Sequence, residues 1–200
     1  MNRAGSVSEH EEPAEGDERL RLFLALELPG DVCEALAAWS AGCLGGGRRI
    51  ESFHVTLAFL GSRPRSELDS ILTAVREAAS DTAPFELEPL RYRETRSVGM
   101  LVLEDESGAA TRLAVDLHTR LERLGVYRRE ARPWLPHVTV LRFRERPRLD
   151  PPLPAVGRFV PSGAAAFLSR LGPAGARYEV LESHPLHSDR LRFEVGRMTA

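Results

Sequence analysis

The most informative absence in this 200-residue chain is lysine, because all 27 basic residues are arginine. The lysine of a phosphate-binding P-loop and the lysine nucleophile that becomes adenylylated in ATP-driven ligation are therefore both missing. The glycine run Gly45–Gly47 has no lysine beside it and precedes a predicted strand instead of a helix, which argues against a phosphate-binding loop. Composition alone thus excludes an ATP-driven ligase of that chemistry.

Cysteine is also scarce, and no disulfide scaffold is predicted from the only two, Cys33 and Cys43, in and just after the first predicted helix. Neither has a further cysteine or a histidine at the spacing of a metal site. His184 and His187 lie three residues apart, but Pro185 between them opposes the helix that would align them. We therefore predict neither a metal site nor a cofactor.

Long apolar runs are missing as well, so we expect a cytoplasmic protein without the apolar core of a signal peptide and without a membrane partner. The formal net charge of −2 argues against duplex DNA as a partner, because duplex binding gains affinity from a basic surface. Residues 1–19 are acidic with almost nothing apolar, which predicts a disordered tail. Residues 20–187 are predicted to fold, as a monomer of one large domain or two small lobes, and residues 188–200 form a C-terminal extension.

Two segments carry the same pattern, His-x-Thr-x: His54–Leu57 and His137–Val140. Each lies in a run of β-branched and large apolar residues bounded by turn formers, which predicts a strand. Because strand side chains alternate between faces, the histidine and threonine of each segment share one face. Their apolar neighbours, Phe59 among them, are predicted to face the other way.

The repeat gives these histidines a chemical interpretation that one copy would not support, since a single strand histidine is usually structural. Two facing imidazoles, His54 and His137, can accept and donate a proton in the same displacement because both titrate near neutral pH. The hydroxyls of Thr56 and Thr139 can donate to the non-bridging oxygens of a phosphate. Together these groups are suited to attack on a phosphodiester without a metal.

The two motifs, together with the segments that flank them, resemble the 2H phosphoesterases. Within that family they resemble the RNA 2′,3′-cyclic phosphodiesterases once described as 2′-5′ RNA ligases. Four blocks carry the resemblance in the family's order: Arg21–Pro29, His54–Gly61, Pro136–Arg142 and Ala176–Leu181. The alternation of predicted strands and helices favours an α+β fold. The resemblance implies two similar lobes, each an antiparallel sheet backed by helices, with both His-x-Thr motifs in the central cleft.

The resemblance also implies an activity: metal-independent hydrolysis of a terminal RNA 2′,3′-cyclic phosphate to a 2′-phosphomonoester. It suggests His137 as the base that activates water and His54 as the acid that protonates the 3′ leaving oxygen. It places a phosphate-binding arginine at Arg142. Strict alternation turns Arg142 to the opposite face from His137 unless the strand ends or bulges near Leu141.

Two alternatives remain open, and both keep RNA ends or small cyclic nucleotides as the partner. The first is a related enzyme acting on another cyclic nucleotide or a 2′-5′ linkage. The second is a module that binds RNA ends without turning them over. Two titrating imidazoles weigh against the second, because binding alone does not need them.

Arginines surround the second motif, with eight arginines against three glutamates over residues 122–148. Guanidinium groups suit phosphate, and Trp134 beside them either stacks on a base or packs in the interior. The chain departs from the family in a shorter loop at residues 48–53 and at Met100, where relatives often carry tryptophan. Both positions are expected to contact substrate, whereas His118 is predicted to lie on a solvated helix face.

Overall fold

The computed structural model describes residues 18–172 and 175–187. Residues 1–17 of the predicted acidic tail and the predicted extension at 188–200 lie outside this range. The elements are β1 (Arg19–Glu27), α1 (Gly30–Cys43), β2 (Arg48–Arg49), β3 (His54–Pro64), a 3₁₀ turn (Arg65–Glu67), α2 (Leu68–Ser80), β4 (Glu88–Glu94), β5 (Val98–Glu104), α3 (Ala109–Arg123), β6 (His137–Arg142), β7 (Gly163–Gly172) and β8 (Gly175–His184).

The eight strands form one antiparallel sheet in the order β4-β5-β6-β3-β1-β7-β8, with β2 paired to β6. One half of the sheet contains β2, β4, β5 and β6, and the other contains β1, β3, β7 and β8. A single residue pair, Val55 with Val138, joins the halves, and it lies between the two motifs. The predicted α+β class is confirmed. The resemblance implied a separate sheet in each of two lobes, whereas the structure has one curled sheet with two halves.

The central strand β1 is buried on both faces, which explains its continuous apolar sequence. On one face, alternate leucines join a large core with all three helices, whose fully buried members include Leu22, Leu24, Leu26, Leu36, Ile71 and Leu117. On the other face, Phe23 and Ala25 pack with Ala165 and Phe167 in a second, smaller cluster. Strand residues alone form this second cluster within the described part of the chain, so the helices cover one face of the sheet and leave the other open. His54 lies on the open face, where its ring is 4.9 Å from that of Phe23.

The predicted helices are all present, with shifted ends. The sequence places Asp31, a residue type favoured at N-caps, near the start of α1, but the helix begins at Gly30 and Asp31 lies in its first turn. A carboxylate there still favours the helix, since it faces the positive end of the helix dipole. The two-residue strand β2 has no sequence signal, because only its pairing with β6 defines it.

The described part of the chain contains no helix with the length and apolar content needed to cross a bilayer. Cys33 and Cys43 are both free thiols. His184 Nε2 lies 2.8 Å from a carboxylate oxygen of Glu182, and the backbone N–H of His187 donates to the carbonyl of Ala79. No group of three or more potential metal ligands occurs within residues 18–172 and 175–187.

Candidate active site

The two motifs lie side by side because Val55 and Val138 are antiparallel partners. In this register His54 lies opposite Thr139 and Thr56 lies opposite His137, with all four side chains on one face of the sheet. Both valines are fully buried in the helix-covered core, whereas the histidines and threonines are half-buried on the open face. The structure thus brings together His54, Thr56, His137 and Thr139.

Both imidazoles are held in the same way by the backbone of their own strand. Nδ1 of His54 lies 3.1 Å from the carbonyl oxygen of Ser52, and Nδ1 of His137 lies 2.8 Å from that of Leu135. Because a carbonyl oxygen can only accept, Nδ1 carries the hydrogen in each ring. Nε2 of each neutral imidazole is therefore left free to accept a proton.

Aromatic side chains surround His54. Its ring centroid lies 4.9 Å from that of Phe23, 6.0 Å from that of Phe167 and 5.5 Å from that of Tyr178, which it meets edge to face. Tyr178 belongs to β8, three strands away from β3 in the sheet order. The contact therefore shows that the sheet curls over His54 and forms a cleft.

This environment changes the titration of His54. Its pKa is lowered to about 4, chiefly by burial and to a smaller extent by the positive charges of His137 and Arg142, while the hydrogen bond to Ser52 acts in the opposite direction. His54 is consequently neutral at neutral pH in the free protein. The effect of Arg142 also places its charge within electrostatic reach of His54.

Arg142 reaches the cleft through a β-bulge. Val140 is an extra residue in β6 that has no partner in β5. A bulge reverses the alternation of the residues that follow it, so Arg142 returns to the face of His137 at the exposed end of the strand. The bulge that the resemblance required is present, and the role of Arg142 in binding phosphate remains a prediction.

A similar bulge in β3 overturns the prediction for Phe59. Leu57 has no partner in β1, so Phe59 pairs with Phe23 and shares its face instead of joining the core. The Phe59 side chain is 52% exposed, and the guanidinium carbon of Arg21 lies 4.9 Å from its ring centroid. An exposed aromatic ring therefore borders the cleft near His54.

Two side chains hold the backbone beside this bulge. The indole N–H of Trp134 donates to the carbonyl of Thr56 at 3.0 Å, and Nε2 of His118 donates to that of Leu57 at 2.8 Å. His118 is only 5% exposed, so its predicted solvated position is wrong. Of the two interpretations of Trp134, the structure supports interior packing, since its ring also contacts the main core.

The two positions at which the resemblance suggests a departure from the family both border the site. Met100 is buried and pairs in register with Thr139, on the open face of β5. The shortened loop ends at Ser52 and Phe53, and the carbonyl of Ser52 orients the imidazole of His54. The loop therefore takes part in positioning His54 as well as framing the cleft.

The arginine-rich segment only partly lines the site. Arg129 pairs with Glu122 and Arg132 pairs with Glu130 on the surface. Arg142 is the member whose charge lowers the pKa of His54. Most of the segment therefore fits the ordinary interpretation of a solvated charged face.

A buried carboxylate that the sequence did not indicate anchors the segment after β6. Glu94 accepts hydrogen bonds from the Arg146 guanidinium at 2.9 Å and from the backbone N–H groups of Arg148 and Leu149 at 3.0 and 2.8 Å. Desolvation acts to raise the pKa of Glu94, but these donors hold it below its ordinary value. Glu94 therefore fastens this segment to the end of β4.

The analysis of single motifs also missed the aromatic residues around His54. Phe23 and Tyr178 lie within two of the four blocks that resemble the family, so a signal for them existed. Phe167 lies in an unremarkable apolar run, and only the pairing of β1 with β7 brings it beside Phe23.

Known proteins resemble this chain over most of its length. Residues 28–167 match the model of the 2′-5′ RNA ligase superfamily. An RNA 2′,3′-cyclic phosphodiesterase of Thermus thermophilus is 31% identical over 191 residues, which cover 88% of this chain and 95% of that protein.

Solved structures agree with this match. The crystal structure of the Thermus thermophilus protein TT0787 is 30% identical, with a TM-score of 0.74 over 85% of this chain and 100% of that one. Escherichia coli LigT, solved in complex with NADP+, shares the fold at 24% identity, with a TM-score of 0.72 over 84% of this chain and 99% of that one.

Proposed function

We propose that this chain, which belongs to the 2′-5′ RNA ligase superfamily of 2H phosphoesterases, hydrolyses the terminal 2′,3′-cyclic phosphate of RNA to a 2′-phosphomonoester. The observation that carries the proposal is the crossed arrangement of the motifs, in which each histidine lies beside the threonine of the other strand. The Thermus relative supports the choice of substrate, since it is named for this activity.

In the proposed reaction, one neutral imidazole takes a proton from water as the water oxygen attacks phosphorus. The other imidazole, protonated, gives its proton to O3′ as the P–O3′ bond breaks. The product carries a 2′-phosphate and a free 3′-hydroxyl, and solvent returns both imidazoles to their starting states. No step needs a metal ion, because the two imidazoles supply both proton transfers.

Thr56 and Thr139 bind the phosphate in this proposal. Their hydroxyls lie on the histidine face and donate to the two non-bridging oxygens, where negative charge grows as the fifth bond to phosphorus forms. Arg142 adds positive charge at the same side of the cleft. Together these donors stabilise the transition state more than the ground state.

The family resemblance assigns water activation to His137 and protonation of O3′ to His54. The lowered pKa of His54 sets a condition for this assignment, since an acid must carry its proton before the leaving oxygen departs. An anionic phosphodiester bound beside His54 supplies negative charge, which offsets the charges of His137 and Arg142 and raises its pKa. In this proposal, substrate binding itself therefore charges the acid.

Phe59 provides a surface for the base of the terminal nucleotide. Its ring is more than half exposed at the edge of the cleft, and Arg21 lies against it. Stacking on an aromatic ring is tolerant of base identity, because every base presents a π face. The proposed enzyme thus recognises an RNA end without a strong sequence preference at its last base.

The test is to incubate the protein with an oligonucleotide that ends in a 2′,3′-cyclic phosphate, in the presence of EDTA, and to identify the product. We expect a 2′-phosphate end, and a bell-shaped pH profile of kcat with limbs on either side of neutrality, because one imidazole of the substrate complex must be neutral and the other charged. A double variant, His54→Ala with His137→Ala, serves as the control.

Several outcomes would contradict the proposal. A 3′-phosphate product would show that the other P–O bond is broken. Loss of activity in EDTA would show that a metal takes part. Turnover of a different cyclic nucleotide or a 2′-5′ linkage, with the RNA end left intact, would identify the related enzyme weighed above, and tight binding without turnover would identify a binding module.

A further inference from the structure

Two arginines stand opposite each other at the end of the cleft. Arg48 of β2 pairs in register with Arg142 of β6. Both are exposed, and within the described part of the chain neither forms an ion pair or a side-chain hydrogen bond. Like charges directly opposite each other on neighbouring strands are destabilising, so this pair weakens the sheet unless an anion binds near it.

The register also gives the direction of Arg48. Partners in an antiparallel pair project from the same face of the sheet. Since the bulge at Val140 returns Arg142 to the face of the histidines, Arg48 lies there too. Its neighbour Arg49 pairs with the buried Leu141 and belongs to the opposite face.

The end of the Arg48 side chain lies near the other half of the sheet. A Cβ atom added to Gly175 would lie 3.4 Å from a terminal nitrogen of Arg48. Gly175 begins β8, the strand whose Tyr178 contacts His54. Arg48 therefore extends across the end of the cleft, from β2 to β8.

Along β6, Arg142 and Arg48 lie beyond the row that contains the histidines and threonines. Arg142 follows Thr139 by three residues, roughly 10 Å along an extended strand and somewhat less with the bulge. The guanidinium of Arg48 approaches Gly175, three residues before the Tyr178 that contacts His54, so an anion held by Arg48 is displaced from the reacting phosphate. A single phosphate cannot occupy both places, whereas two successive phosphates of one nucleotide chain can.

We propose that Arg48 binds a second phosphate, the one attached to the 5′ oxygen of the terminal nucleotide, while Arg142 serves the reacting phosphate. The identification of the ligand as an RNA end rests on the proposed function. The planar guanidinium grips two phosphate oxygens at once. An enzyme with this subsite prefers RNA ends over cyclic mononucleosides, which lack the 5′-phosphate.

The kinetic test compares adenosine 2′,3′-cyclic phosphate with and without a 5′-phosphate. In the unaltered protein we expect the 5′-phosphate to lower KM by roughly tenfold, the size of one charge-assisted hydrogen bond. Arg48→Ala should abolish this advantage, leave kcat unchanged and leave the substrate without the 5′-phosphate unaffected. Arg49→Ala, on the opposite face, is the matched control and should behave like the unaltered protein.

A binding test separates this inference from the proposed function, because it needs no turnover. Isothermal calorimetry compares adenosine 2′,5′-bisphosphate with adenosine 2′-phosphate, which are the product of the reaction with and without the second phosphate. We expect the bisphosphate to bind more tightly, and Arg48→Ala, but not Arg49→Ala, to remove the difference.

The outcomes are distinct. If the cyclic phosphate is not hydrolysed but Arg48→Ala removes the bisphosphate preference, the subsite stands and the proposed function fails. If the cyclic phosphate is hydrolysed but the unaltered protein binds both adenosine phosphates equally, the subsite fails and the proposed function stands. If Arg48→Ala lowered the affinity for both adenosine phosphates equally, the subsite would also be overturned, because the substitution would have a general effect on the cleft.

Discussion

The two motif strands share a sequence pattern and a hydrogen-bonding device, but the elements that cover them differ. His54 is packed among Phe23, Phe167 and Tyr178, whereas the described residues provide no aromatic contact to His137, whose neighbour across β5 is Val102. The difference teaches that the motif supplies two equivalent imidazoles and the neighbouring strands make them unequal. In the free protein this inequality leaves His54 neutral, so its proposed role as the acid depends on the negative charge that a bound phosphodiester supplies.

The largest expected effect comes from removing either imidazole. We predict that His54→Ala and His137→Ala each lower turnover by roughly 10²–10⁴-fold, the usual contribution of a positioned acid or base, with much smaller changes in substrate binding. Steady-state kinetics on the cyclic-phosphate oligonucleotide measures both. Near-normal turnover in either variant would show that the two-histidine mechanism is wrong.

A sulfur atom in place of the 3′ leaving oxygen tells the two variants apart. A thiolate leaves without being protonated, so this substrate should restore activity to the variant that lacks the acid and not to the one that lacks the base. With the assignment above, His54→Ala should recover and His137→Ala should not. Recovery of His137→Ala alone would reverse the two roles.

The buried position of His54 should also make folding depend on pH. Because the pKa of His54 is lowered to about 4, the unfolded chain binds more protons at this residue than the folded protein between about pH 4 and 6.5. The free energy of unfolding should therefore fall as pH decreases through this window, by up to about 3 kcal/mol from this residue. Urea titrations of the unaltered protein and His54→Asn across the window measure it. An unchanged slope in His54→Asn would assign the dependence to other groups.

A smaller effect is expected at the end of β6. Arg142→Lys keeps the charge and removes the planar fork, so turnover should fall by roughly tenfold, about 1.4 kcal/mol. Arg144→Lys, two residues further along the same segment, is the control. Unchanged kinetics in both Arg142→Lys and Arg142→Ala would show that Arg142 is only a surface residue.

The smallest expected change concerns the aromatic residues that make His54 differ from His137. Tyr178→Ala removes one wall of the His54 environment and admits water, so the pKa of His54 should rise from about 4 towards its ordinary value. Titration of the imidazole C–H signal by NMR, assigned with His54→Asn, measures the midpoint. A midpoint that stays near its original value would show that the remaining aromatic rings suffice for the desolvation.

The sequence predicted those parts of the site that depend on local alternation. His54, Thr56, His137 and Thr139 were placed on their shared faces because two-residue periodicity holds within each tetrad. The same rule failed for Phe59, since the extra residue Leu57 lies between it and the motif. A bulge is visible only in the pairing of two strands, and one strand's sequence does not state where its partner skips a residue.

Other features were beyond reach because they depend on contacts between distant segments. His118 was judged from its polar helix neighbours, yet it reaches the carbonyl of Leu57, 61 residues earlier. Glu94 ends β4 among polar residues whose composition indicates exposure, and its burial comes from the segment that follows β6. The α+β class was predictable from the order of elements, whereas the single pair that joins the two halves of the sheet was not.

The two bulges also determine how these strands tolerate changes in length. Deleting Val140 would restore regular pairing of β6 with β5, and would turn Arg142 from the cleft towards the helix-covered core. Deleting Leu57 would likewise send Phe59 inward and withdraw the carbonyl that His118 binds. Substitution by another apolar residue of similar size preserves the count and with it the direction of every later side chain. In these strands the number of residues is therefore under tighter constraint than their identity, and single-residue deletions should damage the cleft more than conservative replacements at the same positions.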